Sequence, residues 1–356
     1  MKKHLCLYLL LCLFSSFIYS QSQNEIYQVE QKDFLFNPYK NEGYLQGWNY
    51  YFIDKDLIIL ATFLISNMGP RDLNCGVSVF VQSSKIGSKF RTKEFASKDL
   101  VVDKKKFYVK IYNNTMKYKN GKYEIKMHFD KLKLYLNFAP SFYGVSLSGG
   151  KFIVEKPDKF VKADIGYSFS KVSGYLDNEG EVIQLNGQGG MEHLNTNHEV
   201  YKYSHRWELL RAKNKEGYQV FTGGFWGKKN FPGGFYRTVS VLDTKGKIIF
   251  TGKVAKNEIK TNLKDKNSGY KVPNKEILSF ANKNKCTLEI IKEKQIGSID
   301  ILSNISAFLR FVIRVFFAKP YQLAYFSKVK LDCPDFLPKA FSESRGIQTY
   351  YMINHE

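Results

Sequence analysis

The stretch "TMKYKNGKYEIKMHFDKLKLYLNF", residues 115 to 138, narrows the fold more than any other part of the chain. Tyr123, Ile125, Met127 and Phe129 alternate with Glu124, Lys126 and His128. Leu132, Leu134, Leu136 and Phe138 repeat the alternation against Lys131, Lys133 and Asn137. A period of two sends successive side chains to opposite faces of a pleated strand, so one face is apolar and the other is wet. His128 falls on the wet face and is expected at the surface. Asn120-Gly121, between two such runs, supplies the pair of residues that tolerate positive φ in a two-residue hairpin turn.

The same grammar recurs in "GWNYYF", "DLIILATFLIS", "CGVSVFVQSS" and "KKFYVKIYNN" upstream, and in "YKYSHRWELLRA", "GYQVFTGGFWG", "CTLEIIKEK" and "GIQTYYMIN" downstream. No strand–helix alternation of the parallel α/β kind is present, so the expected class is all-β, a barrel or a sandwich. An aromatic share of 16% with only 9 prolines in 356 residues also favours long strands. A chain this long makes two domains the expectation. A soft boundary near residue 172 divides it into 21–172 and 173–356, each with strands enough for a small barrel of about eight. No low-complexity linker separates the halves, so they are expected to pack directly on each other.

One helix is expected, "SIDILSNISAFLRFVIRVFFAKP", residues 298 to 320. Ser298 suits its cap, Asp300 its first turn, Lys319 its last, and Pro320 its stop. Ile305, Phe308, Leu309, Val312 and Phe316 form a broad apolar face, with Arg310 and Arg314 on another. Such a helix covers a barrel, or dips residues 298–319 into a membrane surface as a peripheral contact.

The N-terminus, "MKKHLCLYLLLCLFSSFIYSQSQ", has Lys2 and Lys3, an apolar run from Leu5 to Ile18, and the small residue Ser20. That is the outline of a secretory signal over residues 1–20, and it predicts export, to a periplasm or the outside. Beyond it stand Cys75, Cys286 and Cys333. An oxidising compartment permits one pair, for which Cys286 with Cys333 is the first choice, while three buried unpaired thiols fit the same sequence. The formal net charge is +21, yet only 8 of the 54 basic residues are Arg and the lysines alternate with apolar residues along the whole chain. Lys on wet strand faces and edges explains this pattern without nucleic acid. A diffuse positive field draws the protein toward anionic membrane surfaces instead.

"GQGGMEHLNTNHEVYKYSHRW", residues 187 to 207, concentrates His193, His198 and His205 in one segment. The histidines stand five and seven residues apart, which is not the spacing of a local zinc site, and no metal or cofactor is expected. Glu192 and His193 are adjacent on a strand and therefore face opposite ways, so a shared acid–base cavity requires a bulge. Gly-rich "GGFWGKKNFPGGF", residues 223 to 235, lacks the spacing of a phosphate loop and reads as turn glycines around Trp226 and Phe231.

Taken together, "NYYFIDKDLIILATFLISNMG", "GQGGMEH" followed by "RWELL", and "IDILSNISAFLRFVIRVFFAKPYQLAYFSKVKLD" resemble the lipocalin-like survival factor family known from fungi. More remotely, the chain is similar to the carotenoid 1,2-hydratase (hydroxyneurosporene synthase) group. The resemblance spans most of the chain beyond the signal. It implies two tandem lipocalin-like (calycin) β-barrels and a role with long apolar ligands, carried in the survival factor family and hydrated in the other. In the hydratase group the motif continues as Asp-His-x-Trp-Gly; here Glu192 stands for the Asp, His193 matches, and Asn195-Thr196 replaces Trp-Gly. That departure argues against hydratase chemistry, and the signal segment departs from the intracellular fungal family. The expectation is an exported carrier of a lipid or other long apolar ligand, with Glu192, His193 and Trp207 lining a cavity or its mouth. The rival is an enzyme acting on an isoprenoid or related apolar substrate, with His193 as its acid or base. His198 and His205 are expected in a turn and at the surface.

Overall fold

A computed structural model describes residues 25–67, 73–229, 231–281, 283–303, 320–333 and 343–354. Residues 1–20, where a secretory signal is expected, lie outside them. The first sheet contains β1 (Leu45–Asp54), β2 (Leu57–Ser66), β3 (Asn74–Ser83), β4 (Gly87–Phe95), β5 (Leu100–Asp103) and β6 (Tyr108–Ile111). It continues with β7 (Asn114–Lys119), β8 (Lys122–Phe129), β9 (Leu132–Ala139), β10 (Phe152–Glu155), β11 (Lys159–Asn178) and β12 (Glu181–Thr196). Their order is β4-β3-β2-β1-β12-β11-β9-β8-β7-β6-β5, with β10 added on β11. The second sheet is a closed barrel of β13 (Ser204–Asn214), β14 (Gln219–Gly227), β15 (Phe235–Leu242), β16 (Ile248–Lys264), β17 (Lys271–Phe280), β18 (Lys283–Asp300), β19 (Tyr321–Asp332) and β20 (Ser344–Met352). This is the all-β, two-barrel lipocalin-like fold expected, with the first barrel present as a large curled sheet.

The hairpin that led the sequence reading forms as expected: Asn120 and Gly121 have φ of 52° and 77° between β7 and β8. Tyr123, Ile125, Met127, Phe129, Leu132, Leu134, Leu136 and Phe138 are all buried in the core of the curled sheet, and His128 is exposed. The 172/173 boundary falls inside β11, because β11 and β12 complete the first sheet by closing on β9 and β1. The chain crosses to the barrel over residues 197–203, which include one helical turn, α1 (Val200–Tyr203). The helix expected from residue 298 is corrected at its start: Ser298, Ile299 and Asp300 are the end of β18, paired with Leu323, Gln322 and Tyr321 of β19. The Ser298 hydroxyl donates to Asp265 at 2.9 Å instead of capping a helix. Residues 304–319 lie outside the described residues.

Alternation along β13 builds the barrel. Leu210 and Ala212 point inward to join Val220, Val239, Val241, Phe250 and Leu288, in a core that also holds the Cys286–Cys333 disulfide. Trp207, Leu209 and Arg211 point outward, against the curled sheet. Three apolar groups make that junction: Tyr51, Ile58, Leu60 and Phe80 with Ile296, Ala324 and Ile347; Val145, Leu147 and Ile165 with Phe221 and Leu242; and Val161 with Tyr203, Trp207 and Phe225. The two halves therefore pack wall against wall, and Cys75 stays unbridged and buried in the first.

Candidate functional site

β1 and β11 flank β12 and bring Trp48 and Asp164 directly opposite His193. The His193 ring is buried against Trp48 and Phe34, with ring centroids 5.7 and 6.4 Å away. Its Nδ1 lies 3.1 Å from Asp164 Oδ2, so that nitrogen carries the proton and donates it to the carboxylate. Nε2 then accepts from Gln46 Nε2 at 2.8 Å. Gln46 is saturated in turn: its amide donates to Leu35 O at 2.8 Å, and its Oε1 accepts from the Asn37 amide and the Tyr44 hydroxyl, each at 3.0 Å. Asp164 is backed by Lys162 at 3.7 Å, which also holds Asp33 at 2.8 Å. Burial pushes the His193 ring below its usual range, against the pull of Asp164. Both ring nitrogens are engaged and the ring is buried. It is a structural bolt, with neither nitrogen turned to a cavity.

Glu192 faces the other way. Its carboxylate leaves the curled sheet and forms an ion pair with Arg211 of β13, both side chains buried. The Arg211 guanidinium rests 4.4 Å above the Tyr51 ring and donates from Nη2 to Thr349 Oγ1 at 3.3 Å. Gly190 makes room for this arrangement, since a Cβ there would stand 2.6 Å from Tyr51 Cε1 and 2.9 Å from Ser168 Cα. The Tyr51 hydroxyl is hydrogen-bonded to Ser168 Oγ and accepts from the Phe169 amide at 3.0 Å. Asn49, Thr62, Gln322 and Tyr351 complete a narrow polar cleft with about 10 Å³ of room, enough for one water. Burial pushes the Glu192 carboxyl above its usual range, opposed by Arg211.

Trp207 opens this outward row. It packs on Phe225 at 4.9 Å and Tyr203 at 6.4 Å, and its Nε1–H meets no acceptor among the described residues. A second cleft of about 10 Å³ lies here, walled by Leu147, Val161, Ala163, Trp207, Phe225 and Tyr236. Trp207 and Tyr351 are opposed in register, so the apolar and polar clefts are neighbours on one barrel wall. Trp207 and Arg211 are four steps apart along β13, a span of about 13 Å. The fold thus brings Glu192 and Trp207 to the same interface, at clefts between the halves and not at a barrel mouth, and leaves His193 on the far side of its sheet.

The other two histidines correct the expectation of surface, while His198 does lie in a bend of the crossover. His198 is buried in the crossover, stacked on Tyr203 at 5.9 Å and placed 3.1 and 3.4 Å from Glu199 and Glu155. His205 is half-buried at the start of β13, with Nδ1 3.1 Å from Gly227 O. Among the described residues no three His, Cys, Asp or Glu side chains group as metal ligands do.

A second polar centre escaped the sequence reading. Inside the barrel Arg237 holds Glu276 through two contacts of 2.9 and 3.2 Å, and Glu208 at 2.8 Å. Asn257 and Gln348 also donate to Glu276, at 2.9 and 3.2 Å. Lys292 donates to Tyr350 OH at 2.7 Å and to Pro273 O. Burial pulls the Lys292 ammonium down to about 8, resisted by Glu276 and Glu208. The signal for half of this centre was present in "RWELLRA", where Arg206 and Glu208 share a strand face with Leu210 and Ala212. These side chains lie beside the apolar layer inside the barrel.

No family model matches the chain, and no curated protein matches it. Solved structures do match. A protein from Nitrosomonas europaea provisionally named AttH is 13% identical with a TM-score of 0.63, covering 91% of this chain and 97% of its own. Kievitone hydratase from Nectria haematococca is 10% identical with a TM-score of 0.58, covering 93% and 94%. CghA, solved with Sch210972, is 10% identical with a TM-score of 0.55, covering 92% and 98%. The chain has the fold of these proteins. At such identities the likeness carries architecture alone.

Proposed function

We propose that the protein binds a lipid or other long apolar molecule at the junction of curled sheet and barrel, and carries or shelters it. The observation that carries this reading is the pair of adjoining clefts on the outward face of β13, one apolar around Trp207 and one polar around Glu192 and Arg211. The two clefts lie along the seam between the halves, and that seam is the seat. The clefts are narrow, so entry requires the two walls to part along their apolar contacts. Each methylene then buried contributes about 0.8 kcal/mol, and a few polar groups at one end orient the head. The disulfide supports the reading of export, since such bonds persist in oxidising compartments. The test is organic extraction of protein purified from its own host, together with Nile red titration of the folded protein. Recovery of an apolar compound and dye fluorescence weakened by Trp207→Ala are expected; no extract and no dye response would overturn the reading.

A second reading is favoured by Glu192, a buried carboxyl held above its usual range beside Arg211. Such a group suits protonation of a carbon–carbon double bond, with water adding to the other carbon and its proton returning to the carboxylate. The name of one similar structure, kievitone hydratase, belongs to chemistry of that type. In this reading Glu192 replaces His193 as the acid. Glu192→Gln then abolishes turnover of an apolar alkene substrate while dye binding survives; retained turnover sinks it.

A further inference from the structure

The polar cleft specifies a head group. Arg211 is the cation facing it, and its guanidinium is held by Tyr51 beneath, Thr349 at Nη2 and Glu192 at Nη1. Its Nε meets no acceptor among the described residues. A planar guanidinium binds a carboxylate through two parallel hydrogen bonds, and here Nε is one such donor left open while Nη2 already reaches Thr349. The ionisable groups around Glu192 are Arg211 from β13, Tyr51 from β1 and Tyr351 from β20, and burial holds both tyrosines neutral by raising them. His193, next in sequence, is turned to Asp164 on the other side of the sheet.

The charge count in this buried space selects among ligands. Arg211 and Glu192 together are neutral, and an anionic head entering beside them would leave one negative charge uncompensated in a water-poor site, which strongly disfavours its entry. That penalty vanishes when Glu192 takes up a proton and releases the guanidinium to the newcomer. A monoanionic head then leaves the cleft neutral, whereas a phosphate dianion does not. A neutral alcohol gains nothing from Arg211, because the guanidinium keeps its first partner. We propose that the ligand is a long-chain carboxylate, bound as its anion to Arg211 in exchange for Glu192, which is protonated in the process. This rests on the reading of the junction as the ligand seat.

The test compares dodecanoic acid with dodecanol by titration calorimetry on the full chain, at several values between about pH 6 and pH 8, in buffers of different ionisation enthalpy. The acid is expected to bind about tenfold or more tighter than the alcohol, with about one proton taken up per ligand and affinity falling as pH rises. Glu192→Gln is expected to lose the proton uptake, and Arg211→Gln to bind acid and alcohol alike. Equal affinities in the wild type, or acid binding without proton uptake, overturn the proposal and leave an apolar seat intact. Binding of neither compound overturns the seat itself. The wild-type proton count stands even if Arg211→Gln fails to fold.

Discussion

Glu192 and His193 are consecutive on β12, yet the pleat sends the carboxylate to Arg211 of the barrel and the imidazole to Asp164 within the curled sheet. One residue therefore ties the two halves of the molecule together, and the next locks three strands of a single half. Their proximity in sequence carries no shared chemistry.

His193 is expected to matter for stability and not for ligand binding. His193→Ala leaves one Gln46 donor buried without a partner and Asp164 Oδ2 with only Lys162 at 3.7 Å, at about 1–3 kcal/mol each. Urea unfolding should show a loss of about 2–4 kcal/mol, with Nile red binding by the remaining folded protein unchanged. Loss of dye binding at unchanged stability would mean the ring reaches the seat after all.

The same residue gives an acid sensitivity. Its pKa is lowered in the fold, so below its ordinary value of about 6.5 the unfolded chain binds a proton that the native state refuses. Stability is present above that value and is lost as pH falls through it. His193→Gln, which still donates to Asp164, should flatten the stability profile between about pH 5 and pH 7. An unchanged profile would assign the acid sensitivity to other groups.

Lys292 works in the opposite range. Its folded value of about 8 lies below the ordinary 10.5, so through that window the unfolded chain holds a proton that the native chain has released. Wild-type stability therefore rises with pH relative to Lys292→Met, by up to ~3 kcal/mol on the order of one pKa unit per 1.4 kcal/mol. Parallel pH profiles of the two proteins would count against a strained ammonium in the barrel.

The Glu192–Arg211 pair is a junction within one buried network. Removing either partner leaves a buried charge and should cost about 3–5 kcal/mol, while Glu192→Gln with Arg211→Met should cost well below the sum. Additive losses in a double-mutant cycle would show that the two groups do not interact in solution.

Reduction of the Cys286–Cys333 bond, which spans 47 residues, should lower stability by about 4 kcal/mol through loop entropy in the unfolded chain. Unfolding midpoints measured with and without reductant, against Cys286→Ala/Cys333→Ala, check this.

What the sequence determined by itself was local: the period-two runs from Tyr123 to Phe138, the positive-φ turn at Asn120-Gly121, and hence an all-β chain whose apolar faces had to be covered. These follow from one strand and its pleat, which need no knowledge of distant partners. The tertiary structure decided everything that depends on which strands become neighbours. Long-range closure of β1 on β12 put Trp48 and Asp164 beside His193, and carried the first sheet past residue 172 to Thr196. Pairing with β19 kept Ser298 to Asp300 in a strand, because a continuous ladder outweighs a capping preference that any Ser can express. Arg211 was unmarked in "RWELLRA" because the partner that gives it meaning, Glu192, lies on another sheet. Alternation shows which residues share a face; only packing shows what that face meets.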